Sequence, residues 1–130
     1  MGALNITPDS FSDGGLFFNT TKAFKQANLM VKGGASIIDI GGESTRPGSK
    51  FVSEKEEWSR IKNTLQKIRK KFSKTVLSLD TRKANIMKKG ISCGVDIIND
   101  VSGLNFDKRS FNVINLKKIP FILHHMQGTP

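Results

Sequence analysis

Several stretches of this sequence gather the residue types that do chemistry. Gly41-Gly42-Glu43-Ser44-Thr45-Arg46-Pro47-Gly48 combines glycines, hydroxyls and a guanidinium. Glycines let a ligand approach the backbone, hydroxyls donate, and a guanidinium offers a fork of donors, which together suit a phosphate group. The stretch is not a P-loop, because no lysine follows its glycine at the required place. Asn5 to Gly15 is too polar and turn-rich for a plain connection, yet it carries Phe11 in its middle. Pro8 and the Gly14-Gly15 pair supply stiff and permissive ends, and Asp9 and Asp13 bring carboxylates that could face a cation or hold the loop, so the stretch reads as a mobile lid. Asp80, and Asn99 with Asp100, each close an apolar run on a polar group. Any one of these residues could instead cap a helix or satisfy a loop.

The elements that would position these groups follow from periodicity. Short β-type runs span Ala3 to Ile6, Ser36 to Ile40, Val76 to Leu79, Val95 to Ile98 and Pro120 to Leu123. Between them, Trp58, Ile61, Leu65, Ile68 and Phe72 recur at helical spacing and predict a helix from about Glu54 to Phe72. Ser53 with Glu56 three residues on is a capping box for its start. A second helix is predicted over Thr21 to Lys32, capped by Thr20 or Thr21 and ended by Gly33. Shorter ones are predicted near Lys83 to Lys89, before Gly90, and Arg109 to Lys117, before Pro120. Strand, helix, strand alternation predicts an α/β protein with a parallel sheet, since parallel neighbours need a crossover and a helix provides it. A barrel of about 250 residues has eight such units, so this length suits about the first four and a half of them. The polar strand ends would then share one rim, where barrel enzymes gather binding groups. The expectation is a partial TIM-type barrel, residues 1–130 being the N-terminal part of one domain that breaks off in the loop Gln127-Gly128-Thr129-Pro130.

Composition sets limits only. The 130 residues are 37% hydrophobic and 25% charged, an ordinary globular balance. The net charge of +10 could signal nucleic acid, but the lysines are spread over helix faces and not gathered with aromatics, so no nucleic-acid partner is expected. Apolar runs fall far short of the roughly 20 residues of a membrane helix. With a single cysteine, Cys93, and no secretory pattern at the start, the sequence fits a cytoplasmic protein.

Gly2 to Gly15 resembles the first signature of the dihydropteroate synthases, and Asp39 to Gly48 looks like their second. Ser78-Leu79-Asp80-Thr81, Ile98-Asn99-Asp100-Val101-Ser102-Gly103 and His125 to Pro130 are similar to later ones, in family order. The resemblance implies a β/α barrel that condenses hydroxymethyl-dihydropterin pyrophosphate with p-aminobenzoate, using Mg2+ and releasing pyrophosphate. It further implies a homodimer and a target of sulfonamides.

On the same ground, Asn5 contacts the metal and pyrophosphate, and Thr45 contacts pyrophosphate. Arg46 and Pro47 belong to a second mobile loop that helps form the aminobenzoate pocket. Asp80 is the pterin-binding carboxylate, an acceptor-only group suited to N–H donors, and Asn99 both donates and accepts. The implied mechanism is dissociative: pyrophosphate leaves, and Asp13 favours the cation developing on the pterin methylene carbon. Closure of the Phe11 loop over the Arg46-Pro47 loop excludes water. Family members carry residues before the first strand and well beyond Pro130, so Met1 is expected to be internal and the 130 residues alone inactive. A methyltetrahydrofolate-dependent methyltransferase, a non-catalytic pterin-binding paralogue and a nucleic-acid module are the rival readings.

Overall fold

A computed structural model of the chain describes residues 1–7, 16–44 and 51–123, without the side chains of 16–19 and 123. Five strands, β1 (Gly2–Asn5), β2 (Ile37–Gly41), β3 (Val76–Asp80), β4 (Ile97–Asp100) and β5 (Phe121–Leu123), form one sheet in the order β1-β2-β3-β4-β5. Every neighbouring pair is parallel. Helices α1 (Leu16–Lys32), α2 (Glu54–Lys71), α3 (Ala84–Ser92) and α4 (Ser110–Lys117) make the crossovers. Right-handed crossovers that always step to the next strand in the same direction place every helix on one face. Successive helices accordingly touch one another. An order that never reverses is that of a barrel wall, not of a doubly wound sheet, which turns back at its switch point.

The hydrophobic core lies between the sheet and this helical layer. Leu4, Ile38, Ile40, Leu77, Leu79 and Ile98 are fully buried, alternating along their strands with residues that point to the opposite, interior face. They meet Ile61, Leu65 and Ile68 of α2 and Ile86 and Met87 of α3, all with no exposed surface. The predicted stripe of α2 is therefore the face that docks. Trp58 and Phe72 pack at its margins, and Phe72 stacks on Phe24 of α1 with ring centroids 6.0 Å apart.

The capping box forms in part. Ser53 Oγ accepts from the Glu56 N–H at 3.2 Å, but the Glu56 carboxylate pairs with Arg60 Nη2 at 3.0 Å, one turn further along the helix. At the other end of α2, Arg69 binds the chain that follows. Its Nη2 donates to the carbonyls of Phe72, Ser73 and Thr75, and its Nη1 to Gly94 O and Asp96 Oδ2. One guanidinium thus ties together the segments entering β3 and β4.

The largest departures from the expected boundaries are in α1, α3 and β4. α1 begins at Leu16 instead of Thr21, so Thr20 and Thr21 lie inside the helix and do not cap it. α3 begins at Ala84 and continues through Gly90 to Ser92 instead of stopping before the glycine. A Cβ on Gly90 would come 2.3 Å from Leu79 Cδ2, so the glycine serves close helix-to-strand approach. β4 is displaced two residues, to Ile97–Asp100. Val95 instead donates its N–H to Gly90 O in the turn leaving α3, because a ladder pairs backbone and accepts polar strand ends.

Candidate functional site

The C-terminal ends of the strands form a level row. Asn5 pairs with Gly41, Gly41 with Asp80, and Asp80 with Asn99. Register partners in a parallel sheet point to the same side. Since Leu4, Ile40, Leu79 and Ile98 face the helices, the row Asn5, Asp80 and Asn99 faces the interior of the curved wall. Asn5 is exposed, Asp80 half-buried and Asn99 buried. Gly41 leaves a gap in the row, since a Cβ there would lie 3.2 Å from Asp80 Cβ and 3.4 Å from its Oδ2.

One level below, still on the interior face, a second polar set crosses three strands. Asp39 Oδ1 accepts from Ser78 Oγ at 2.7 Å and its Oδ2 from Asn99 Nδ2 at 3.1 Å, all three residues being buried. Asp80 sits against this set, and its acidity is altered accordingly. Burial, followed by the negative charges of Asp39, Glu57, Asp100 and Glu43, pushes its carboxyl up from 3.8 to about 7. Near neutrality, Asp80 is therefore divided between an acceptor-only carboxylate and a neutral acid that can donate.

A buried ionic network stands behind the row, on the helix side. Lys83 Nζ lies 2.6 Å from Glu57 Oε1 and 3.1 Å from Glu43 Oε2, all three side chains being almost wholly enclosed. Thr81 Oγ donates to the other Glu57 oxygen at 2.6 Å, and Arg82 Nε to Glu43 Oε1 at 3.0 Å. Burial alone would raise the Glu43 carboxyl, but the hydrogen bonds from Arg82 and Lys83, the Lys83 charge and the Val52 N–H outweigh it and hold it below its usual value. Glu43 thus joins the end of β2 to the start of α3 and, through Val52 N at 3.2 Å, to the segment entering α2. Phe51 and Phe106 meet above it with centroids 6.4 Å apart, and the Arg82 guanidinium lies 4.0 Å from the Phe106 ring centroid. Asp100 is committed to its own loop, accepting from Ser102 N, Ser102 Oγ and Leu104 N.

The structure therefore gathers Asn5, Asp80 and Asn99, three of the residues singled out from sequence, on one rim. Phe11, Asp13, Thr45, Arg46 and Pro47, with His124 and His125, lie outside the described residues. Sequence reasoning passed over Glu57 and Lys83, and each left a signal. Glu57 stands one turn before Ile61 on the apolar stripe, where a charge is out of place. Lys83 immediately precedes a helix start, the end whose dipole disfavours a cation.

The model of the pterin-binding enzymes matches residues 1–130. The chain belongs to the pterin-binding enzyme family. Among members of that family, it is 46% identical over 130 residues to a dihydropteroate synthase of Synechocystis, covering 100% of this chain and 45% of the relative. A dihydropteroate synthase of Clostridium difficile, solved in the presence of pteroic acid, superposes with a TM-score of 0.92 at 43% identity, covering 100% of this chain and 49% of that one. The Xanthomonas albilineans dihydropteroate synthase, solved with 4-aminobenzoic acid, gives 0.90 at 36% identity over 98% of this chain and 46% of that one. The chain thus spans about half the length of the family members it matches. Among the described residues, no helix is long and apolar enough to cross a membrane, and no group of three or more His, Cys, Asp or Glu is arranged to hold a metal.

Proposed function

We propose that this chain supplies the N-terminal half of the barrel of a dihydropteroate synthase, which joins hydroxymethyl-dihydropterin pyrophosphate to p-aminobenzoate with release of pyrophosphate. The observation that carries this reading is the adjacency of Asp80 and Asn99, register partners on the interior face. A carboxylate that only accepts, beside an amide that does both, is the complement of a pterin edge bearing ring and exocyclic N–H donors next to acceptor nitrogens. That the relatives named above are dihydropteroate synthases supports it further.

Each group then has a task. Asp80, in its ionised form, accepts from the pterin N–H groups, and Asn99 fixes the ring in its plane. Asn5, exposed at the end of β1, offers the neutral hard oxygen that magnesium accepts. A metal held mostly by substrate oxygens and water needs only one or two protein ligands. Bound there, Mg2+ would neutralise charge on the leaving pyrophosphate. Thr45 holds the pyrophosphate, Arg46 and Pro47 shape the aminobenzoate pocket, Phe11 excludes water, and Asp13 favours the cation on the methylene carbon. The aromatic amine attacks in its neutral form, so no strong general base is required.

The same reading makes the full-length enzyme a cytoplasmic homodimer and a sulfonamide target, and residues 1–130 part of a single barrel domain. With β1 and β5 as sheet edges, the 130 residues by themselves have no turnover. The test is dihydropteroate formation by the full-length protein from both substrates with Mg2+. Turnover that disappears in Asp80→Ala is the expected result, and a full-length protein that binds neither substrate overturns the reading.

A further inference from the structure

Asp39 links strands that do not pair with each other. It lies on β2, Asn99 lies on β4, and β3 runs between them carrying Ser78. Asp39, Ser78 and Asn99 are exposed by 7%, 0% and 6% respectively, so solvent does little to satisfy their polar atoms. The direction of each hydrogen bond is set by one fact, that an ionised carboxylate only accepts. Against Asp39 the Ser78 hydroxyl must donate, and the Asn99 amide must turn its nitrogen inward. An amide has two orientations of almost the same shape, which exchange the places of donor and acceptor. Here one of them would set oxygen against oxygen at the Asp39 contact.

We propose that Asp39 is a positioning residue of the pocket, which locks the Asn99 amide in one orientation and so fixes the order of donor and acceptor that a ligand meets. The proposal rests on the pterin reading of the pocket. A ligand whose edge also has a fixed order of donors and acceptors is recognised only when the amide is held this way, and a flipped amide would leave polar groups unpaired. The Asp39 charge has a second effect on the same pocket. Of the charges that face Asp80, which are Asp39 from β2, Glu43 beyond it, Glu57 from α2 and Asp100 from β4, that of Asp39 contributes most to holding the Asp80 carboxyl up. Lys83, the nearby cation, is engaged by Glu43 and Glu57.

Asp39→Asn in the full-length protein tests this, with 6-hydroxymethylpterin as the probe and affinity measured from pH 5 to 8.5. The amide at 39 can itself donate, so Asn99 loses its fixed orientation and affinity falls by about tenfold. In addition, the pH midpoint of binding moves to lower pH, because a negative neighbour of Asp80 has gone. Ser78→Ala keeps the charge, leaves the midpoint in place and costs no more than about threefold. An Asp39 that served only to hold the sheet together would lower stability and, through its charge alone, move the midpoint, but would leave the affinity at pH 8.5 unchanged, a result that overturns the proposal. A measurement on the unmodified protein stands beside these, in case Asp39→Asn does not fold. The Asn99 side-chain NH2 should resist exchange with solvent, and rapid exchange overturns the proposal. So does an Asp39→Asn variant with unchanged affinity and midpoint. An unmodified protein that binds no pterin would instead bring down the functional reading, and this inference with it.

Discussion

Replacing Asp80 by asparagine should stabilise the ligand-free protein at alkaline pH. The carboxyl is raised from 3.8 to about 7 by burial and by the carboxylates around it. The folded state therefore holds this proton more tightly than the unfolded chain does. A group of that kind contributes stability that is full below pH 3.8 and is lost as pH rises through about 7. At about 1.4 kcal/mol for each factor of ten, the whole displacement amounts to about 4 kcal/mol. Between pH 5 and pH 8 the part that remains to be lost is about 2–3 kcal/mol. The substituted amide has nearly the same shape as the carboxyl and never ionises, so the variant escapes that loss. Urea denaturation of both full-length proteins, followed by far-ultraviolet circular dichroism at pH 5 and pH 8, isolates the effect, because all other titrating groups are shared. The stability of Asp80→Asn relative to the unmodified protein should grow by about 2–3 kcal/mol across that interval, while pterin affinity is lost. Parallel stability curves for the two proteins would refute the argument, since they would mean that the Asp80 carboxyl is as easily ionised folded as unfolded.

Other consequences can be checked separately. Pterin affinity should rise from pH 5 to pH 8, because N–H donors select the ionised Asp80; calorimetry in buffers of different ionisation enthalpy should detect proton release near pH 6. Lys83→Met leaves Glu43 and Glu57 buried without their shared cation, a loss of about 3–5 kcal/mol by denaturant titration. Adding Glu57→Leu to it should restore part of that stability. Gly41→Ala sets a methyl group 3.2 Å from Asp80 Cβ, so pterin affinity should weaken by roughly tenfold with a change of less than about 2 kcal/mol in stability; unaltered affinity would place Asp80 away from the ligand.

The layered architecture was legible because helical spacing and short apolar runs alternate without interruption, and the row of strand ends followed once the strands were placed side by side. Local signals failed where tertiary contact decided. Thr20 and Thr21 have the chemistry of caps, yet α1 runs through them, and Gly90 has the chemistry of a stop, yet it lets α3 lie against Leu79. Asp80 and Asn99 could be selected from their place at the ends of apolar runs. The bonds from Asp39 to Ser78 and Asn99 could not, because they depend on which residues of three separate strands stand level, and that register is a property of the sheet. Glu57 and Lys83 were visible only as misfits, a carboxylate on an apolar stripe and a cation at a helix start, and a misfit does not name its partner.

Arg69 closes the base of the wall by binding mainly main-chain oxygens, those of Phe72, Ser73, Thr75 and Gly94. A contact made to the backbone is indifferent to which side chains those positions bear. The turns at this end can therefore drift in composition so long as their path is kept, but Arg69 itself has no substitute, because lysine lacks the planar fork that reaches several carbonyls at once. The base is thus secured independently of the rim. A change among the loops of the rim leaves this fastening at the other end untouched.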